Sequence, residues 1–169
     1  AHRRKTIDPR NTIFSAKRII GRKWHSADTS EFRKRYPFAL KEKDNMPHFE
    51  TRAGLFSPAE IASFVLMQLR EADAVTSSRD NARGVIAVPS LFGDDEKNAT
   101  VVAAEQAGFE NVTILSEPAA TASAYLSANG KNTKYAAVYD FGGGTFDLAV
   151  VDCSEVPYRL LAHDGDLYL

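Results

Sequence analysis

The stretch AAVYDFGGGTFDLAVVD, residues 136–152, decides the fold. Two acids, Asp140 and Asp147, flank a Gly142-Gly143-Gly144-Thr145 turn. An apolar run (Ala136, Ala137, Val138, Tyr139) precedes the turn and a second (Leu148 to Val151) follows it. This reads as a strand, a glycine turn and a returning strand. Consecutive glycines let backbone N–H groups approach an anion closely, because no Cβ blocks the way. Thr145 adds a hydroxyl at the same place. Acids at the strand ends suit a metal ion, or a water held beside phosphates. The stretch is therefore read as a phosphate pocket with acids. A plain hairpin turn with exposed acids is the competing reading. Asp140-Phe141-Gly142 also spells a protein-kinase metal motif, but the HRD and APE segments that accompany that motif are absent, so the kinase reading is rejected.

The bulk properties narrow the field. The 169 residues are 44% apolar with a net charge of −1, enough for one domain or parts of two. No run approaches the roughly 18 apolar residues of a membrane span, and the basic N-terminus lacks the apolar core of a secretory signal. No membrane association is expected. A single cysteine, Cys153, excludes an internal disulfide framework and fits a reducing, cytoplasmic setting. At the end of an apolar run it reads as a buried structural thiol. Charge is unevenly spread: residues 1–43 hold 13 Lys/Arg against 4 Asp/Glu, a balance of +9, and the remainder carries −10. Such a lobe suits an anionic partner or is a solvated face. Its aromatics (Phe14, Trp24, Phe32, Tyr36, Phe38) fall in no RNA- or DNA-binding signature, so nucleic acid is not an expected partner.

Working outward, residues 12–20 carry Ile13, Ala16, Ile19 and Ile20 at helical spacing, with Lys17 and Arg18 opposite, and Gly21 as a stop. Residues 30–53 read as loops and short strands. Ser57-Pro58-Ala59-Glu60 is a capping box with proline in the first turn, and Ile61, Phe64, Val65, Leu66 and Leu69 supply the apolar stripe of the helix it opens. The polar stretch from Thr76 to Arg83 closes that unit. Val85 to Val88, ending at Pro89, reads as a strand covered on both faces. Asp94 or Asp95 caps the next helix, which Gly108 ends. Val112 to Leu115 is a further strand, and Glu117-Pro118 opens a helix of small residues that suits close packing onto a sheet. Alternating strands and helices give a predominantly α/β core.

Four separated segments, NTIFSAKRIIGRKW (11–24), GVIAVPSLFGDDEKNAT (84–100), ILSEPAATASAY (114–125) and YDFGGGTFDLAVVD (139–152), resemble the nucleotide-binding domain of the 70-kDa heat-shock (DnaK-type) chaperones. YPF (36–38), FSPAEI (56–61) and HDGDLYL (163–169) match as well, in order. The resemblance covers essentially the whole chain and implies an actin-like ATPase (ribonuclease H-like) fold, here incomplete, with a mixed sheet and crossover helices. It implies three spans: 1–60 as a basic outer subdomain, 61–134 as the core α/β segment of the first lobe, and 135–169 as the first hairpin of the second lobe. The cofactors implied are ATP or ADP with magnesium. The partners implied are unfolded peptides held by a separate substrate domain, co-chaperones and nucleotide-exchange factors. Another actin-like ATPase or a sugar kinase fits less well, because the Lys17 and Glu117-Pro118 segments match the chaperones.

Residue by residue, Lys17 matches the family's catalytic lysine, although taken alone it reads as a surface lysine. Glu117 matches an acid facing the metal–phosphate centre; its local alternative is a helix N-cap. Asp140 and Asp147 match the acids that position the magnesium shell and the attacking water, and Gly142, Gly143, Gly144 and Thr145 match the second phosphate loop. Pro89 matches a proposed switch proline and Arg18 a residue bridging the lobes. Four positions depart from the pattern. Ser116 and Ala119 stand where Asn and Thr are usual, Leu91 replaces an aromatic, and Lys97 replaces an arginine whose planar fork it lacks.

Both termini read as cut. The family's first phosphate loop is expected upstream of residue 1, and its adenosine-binding lobe downstream of residue 169. The expectation is an interior fragment of a chaperone ATPase domain, inactive alone because both phosphate loops must converge on the nucleotide. The alternative is a naturally truncated, non-catalytic module that binds a co-chaperone or other partner.

Overall fold

The computed structural model describes residues 2–76, 83–130, 133–142, 145–166 and 168, and divides into two compact units. The first comprises residues 1–84 and 94–112, the second residues 85–93 and 113–169.

The first unit opens with α1 (His2–Ile7) and a 3-10 turn at Ala16–Ile19. A longer helix over 12–20 does not form. Ser15 sits in the left-handed region at φ 58°, which breaks the helical path before Ala16. The freed chain turns Ile13 and Phe14, together with Ala16 and Ile19, toward one core. Gly21 follows at φ +70°, where a Cβ would lie 2.6 Å from the Asp95 carbonyl oxygen. Glycine is thus required twice, by its dihedral and by the close approach of the next helix's backbone.

Helix α2 (Ala27–Arg35) occupies ground read as loop from the sequence. Ser26 caps it, its Oγ accepting from the Thr29 amide at 3.2 Å. Thr29 in turn donates its hydroxyl to the Lys23 carbonyl at 2.9 Å. Phe32 is the one large apolar residue within the helix, and it is fully buried against Ala16, Ile19, Phe38 and Phe49. Strands β1 (Ala39–Lys43) and β2 (Met46–Thr51) pair antiparallel through Asp44-Asn45, both at positive φ (53° and 59°), the two-residue turn that matches strand twist. Strand β3 (Gly54–Phe56) completes the sheet, and helix α3 (Pro58–Thr76) follows. The capping box forms as read: the Glu60 amide donates to Ser57 Oγ at 3.2 Å and the Ser57 amide to Glu60 Oε2 at 2.7 Å. Helix α4 (Asp94–Gln106) packs on α3. Asp94, Asp95 and Glu96 all lie within its first turn, facing the positive end of the helix dipole, rather than Asp94 or Asp95 preceding the helix as a cap.

Strands β4 (Arg83–Val88) and β5 (Asn111–Ser116) form a two-stranded sheet, most of it in the second unit. The expected coverage of β4 on both faces is not observed. Burial alternates along it, with Val88 buried and Val85 70% exposed, so one face of this apolar run has no cover within the described residues. Helix α5 (Glu117–Asn129) is capped by Ser116, whose Oγ accepts from the Ala119 amide; Glu117 is the first helical residue and not the cap. Small residues let α5 lie close on the sheet β6 (Tyr135–Phe141), β7 (Phe146–Asp152), β8 (Arg159–Asp166), with Ala122 and Leu126 packed on Val138, Val151 and Cys153. The β6–β7 hairpin is as read, but it has a sheet neighbour that was not expected: β8 pairs antiparallel with β7. A bulge at Val150/Val151 adjusts the register.

Candidate active site

Antiparallel pairing fixes the relation between the two acids. Asp140 on β6 is the direct cross-strand partner of Asp147 on β7, so both side chains leave the same face of the sheet. That face also carries Val138, Ala149 and Val151, which are buried. The acids sit at its open end, where Phe141 and Phe146 form the last pair before the turn.

The environments of the two acids differ. Asp140 is exposed, whereas Asp147 is only 2% exposed. Desolvating a carboxylate is costly unless it gains a hydrogen bond, and Asp147 has one: Ser90 Oγ donates to its Oδ1 at 2.6 Å. This burial contradicts the competing reading of a turn with two exposed acids. Among the described residues no three His, Cys, Asp or Glu side chains come together as a metal cage.

At the turn, the Gly142 amide donates to the Thr145 carbonyl at 2.9 Å. This N–H is therefore committed inside the loop. A Cβ on Gly142 would make only ordinary contact with Thr145, at 3.5 Å from its carbonyl oxygen, so the protein's own packing leaves room there. Gly143 and Gly144 lie outside the described residues. On β8, Gly165 faces Asp147, and its Cβ would lie 2.3 Å from the Phe146 carbonyl oxygen. No larger residue fits there, so β8 places no side chain beside Asp147.

The other site residues fall on separate elements. Glu117 is half-buried in the first turn of α5, and Thr121 donates its hydroxyl to the Glu117 carbonyl at 3.0 Å. Lys17 is exposed on the 3-10 turn, next to Arg18, which is buried with its guanidinium 5.9 Å from the Tyr36 ring centre. Lys17 belongs to the first unit; Glu117, Asp140 and Asp147 belong to the second. Two contacts had no signal in the sequence: the bond from Ser90 to Asp147, and the clamp of Arg22 on Asp28 and Glu96.

Comparison with known proteins finds one family along the whole chain. The family described as "Hsp70 protein" matches residues 1–169. The chain belongs to the Hsp70 family. It is 39% identical over 175 residues to a "Chaperone protein DnaK" of Akkermansia muciniphila. It is 37% identical to a "Mitochondrial-type heat shock protein 70" of Encephalitozoon cuniculi and 36% identical to a "Heat shock 70 kDa protein BIP3" of Oryza sativa subsp. japonica. Each match covers all of this chain but 27%, 28% and 26% of the relative. The chain thus spans about a quarter of the length of these Hsp70 relatives. The family's fold is the actin-like ATPase fold, and the mixed α/β elements described above agree with it. Among the described residues no helix is long and apolar enough to cross a membrane.

Proposed function

We propose that this Hsp70-family chain carries part of the ATP-binding and hydrolysing domain of a molecular chaperone that couples ATP hydrolysis to the binding and release of unfolded peptides. The observation that carries the reading is the buried carboxylate of Asp147, paired across the strands with Asp140 at the mouth of the glycine turn. Burying an acid at a strand end serves no packing purpose, and it suits a group that must hold one water in one orientation.

The donor set fits magnesium. It is a hard cation that keeps several waters and needs only one or two carboxylates beside the phosphates, so Asp140 and Asp147 would hold it through its water shell. When bound, the metal supplies charge neutralisation at the terminal phosphates. The chain's own residues do the rest. Asp147 accepts a hydrogen bond from the attacking water and orients it. Lys17 would offset charge on the transferred phosphoryl group, and Glu117 would face the metal–phosphate centre. Gly142, Gly143 and Gly144 carry no Cβ to keep the phosphates away from the backbone, and Thr145 adds a hydroxyl. Hydrolysis in this scheme is mostly positioning and electrostatics.

The division into an outer subdomain (1–60), a core segment (61–134) and a first hairpin of the second lobe (135–169) forms part of this reading, as do co-chaperones and nucleotide-exchange factors as partners. The single buried thiol Cys153 favours a reducing, cytoplasmic setting. The test is Lys17→Ala in the full-length protein. ATP hydrolysis should be abolished while ATP binding, measured by calorimetry, is retained. Hydrolysis at the wild-type rate would overturn the assignment.

A further inference from the structure

Residues 89–92 form a tight turn after β4, closed by the Phe92 amide donating to the Pro89 carbonyl at 3.1 Å. Pro89 and Phe92, at its two ends, are both buried, so the position of Ser90 between them is fixed from both sides. From this turn Ser90 reaches a residue 57 positions away, donating to Asp147 Oδ1 at 2.6 Å. An O–H···O⁻ distance of this length falls in the charge-assisted range, stronger than a bond between neutral groups. Asp147 has little contact with bulk water, and Gly165 brings no side chain against it from β8. The torsion of its carboxylate is therefore set by the hydroxyl from the Pro89 turn.

We propose that Ser90 is a positioning residue for hydrolysis: by holding Oδ1 of Asp147, it turns the second carboxylate oxygen toward the attacking water. The proposal rests on the reading of Asp147 as the water-orienting acid. Ser90 touches neither nucleotide nor water in this scheme, and its effect passes through Asp147 alone.

The experiment measures single-turnover ATP hydrolysis and ATP affinity in the full-length protein for Ser90→Ala, Ser90→Thr, Asp147→Asn and the Ser90→Ala/Asp147→Asn double variant. Ser90→Ala should slow the chemical step by roughly tenfold, the loss expected from a hydrogen bond to a charged group. ATP affinity should stay within about twofold, since the bond affects orientation and not binding. Ser90→Thr, which keeps the hydroxyl, should restore the rate, and Ser90→Ala should add nothing in the Asp147→Asn background. If Asp147→Asn abolishes hydrolysis while Ser90→Ala is as fast as wild type, the role of Ser90 is overturned and that of Asp147 stands. If Ser90→Ala lowers affinity and rate together and Thr does not rescue it, the hydroxyl is structural and the proposal is also overturned. If Asp147→Asn hydrolyses ATP at the wild-type rate, the reading of the acid fails, and the proposal for Ser90 fails with it.

Discussion

Arg22 Nη1 lies 2.9 Å from Glu96 Oε1, and the acid in this pair is only 5% exposed. The same guanidinium places its Nε 3.0 Å from Asp28 Oδ2. One side chain thus ties the segment after the Lys17 turn to α2 and to the first turn of α4, beside the point where the Gly21 backbone meets Asp95. Planar, multi-donor geometry makes arginine suited to hold two carboxylates at once.

Removing Arg22 leaves Glu96 as a buried charge without this partner. Arg22→Ala should cost about 2–3 kcal/mol, below the usual figure for a broken buried pair because Arg22 itself is partly exposed. Neutralising the acid should recover part of that loss, so Arg22→Ala/Glu96→Gln should be more stable than the single Arg22→Ala variant. Urea unfolding of the three variants gives the comparison; additive losses would contradict the clamp.

The start of α3 gives a pH signature. The Ser57 amide beside Glu60 holds its carboxyl below the usual carboxylate range against the opposing effect of burial, and the Ser57 hydroxyl adds to the lowering. Because the folded pKa is depressed, this contribution is fully present above the unfolded pKa and is lost as pH falls through the folded value. Ser57→Ala should cost about 1 kcal/mol at neutral pH, as caps commonly do. The stability difference between wild type and Glu60→Gln should shrink as pH drops below about 4. A difference independent of pH would show that the carboxylate does not take part in the cap.

How far these features could be read from the chain depended on sequence distance. The hairpin with Asp140 and Asp147 was legible because apolar runs, turn and acids are contiguous, and so was the Ser57–Glu60 box. Helix α2 was not, because it shows one large apolar residue, Phe32, and so no periodicity; a cap at Ser26 and burial of that single ring suffice. The helix expected over 12–20 failed at Ser15, whose left-handed conformation is a tertiary choice that lets Phe14 reach Tyr36 and Phe38. Ser90 and Asp147 meet across 57 residues, and no local pattern announces that contact.

The face of the β6–β8 sheet opposite α5 carries Tyr139, Phe141, Leu148 and Val150, all exposed. An apolar face of this kind promotes association. The isolated 169-residue chain should therefore self-associate as concentration rises, and Tyr139→Lys/Phe141→Glu should reduce this. Sedimentation velocity measures both, and a monomer at every concentration would count against the expectation.

The isolated chain should also bind ATP poorly, because every residue proposed for the site serves the phosphates, the metal or the attacking water and none is assigned to the adenosine. Calorimetric titration is expected to show no dissociation constant of about 10 μM or tighter. Binding at that strength would mean that this segment forms a sufficient site alone.

The most direct test of the central claim, that Asp147 is the buried acid of a phosphate-transferring site, is single-turnover ATP hydrolysis by full-length Asp147→Asn. The substitution keeps the shape that Ser90 contacts and removes the charge. The account predicts a loss of about a hundredfold or more in the rate of the chemical step, within the range for an acid or base positioned on the reacting group, with ATP still bound. Hydrolysis at the wild-type rate would contradict it.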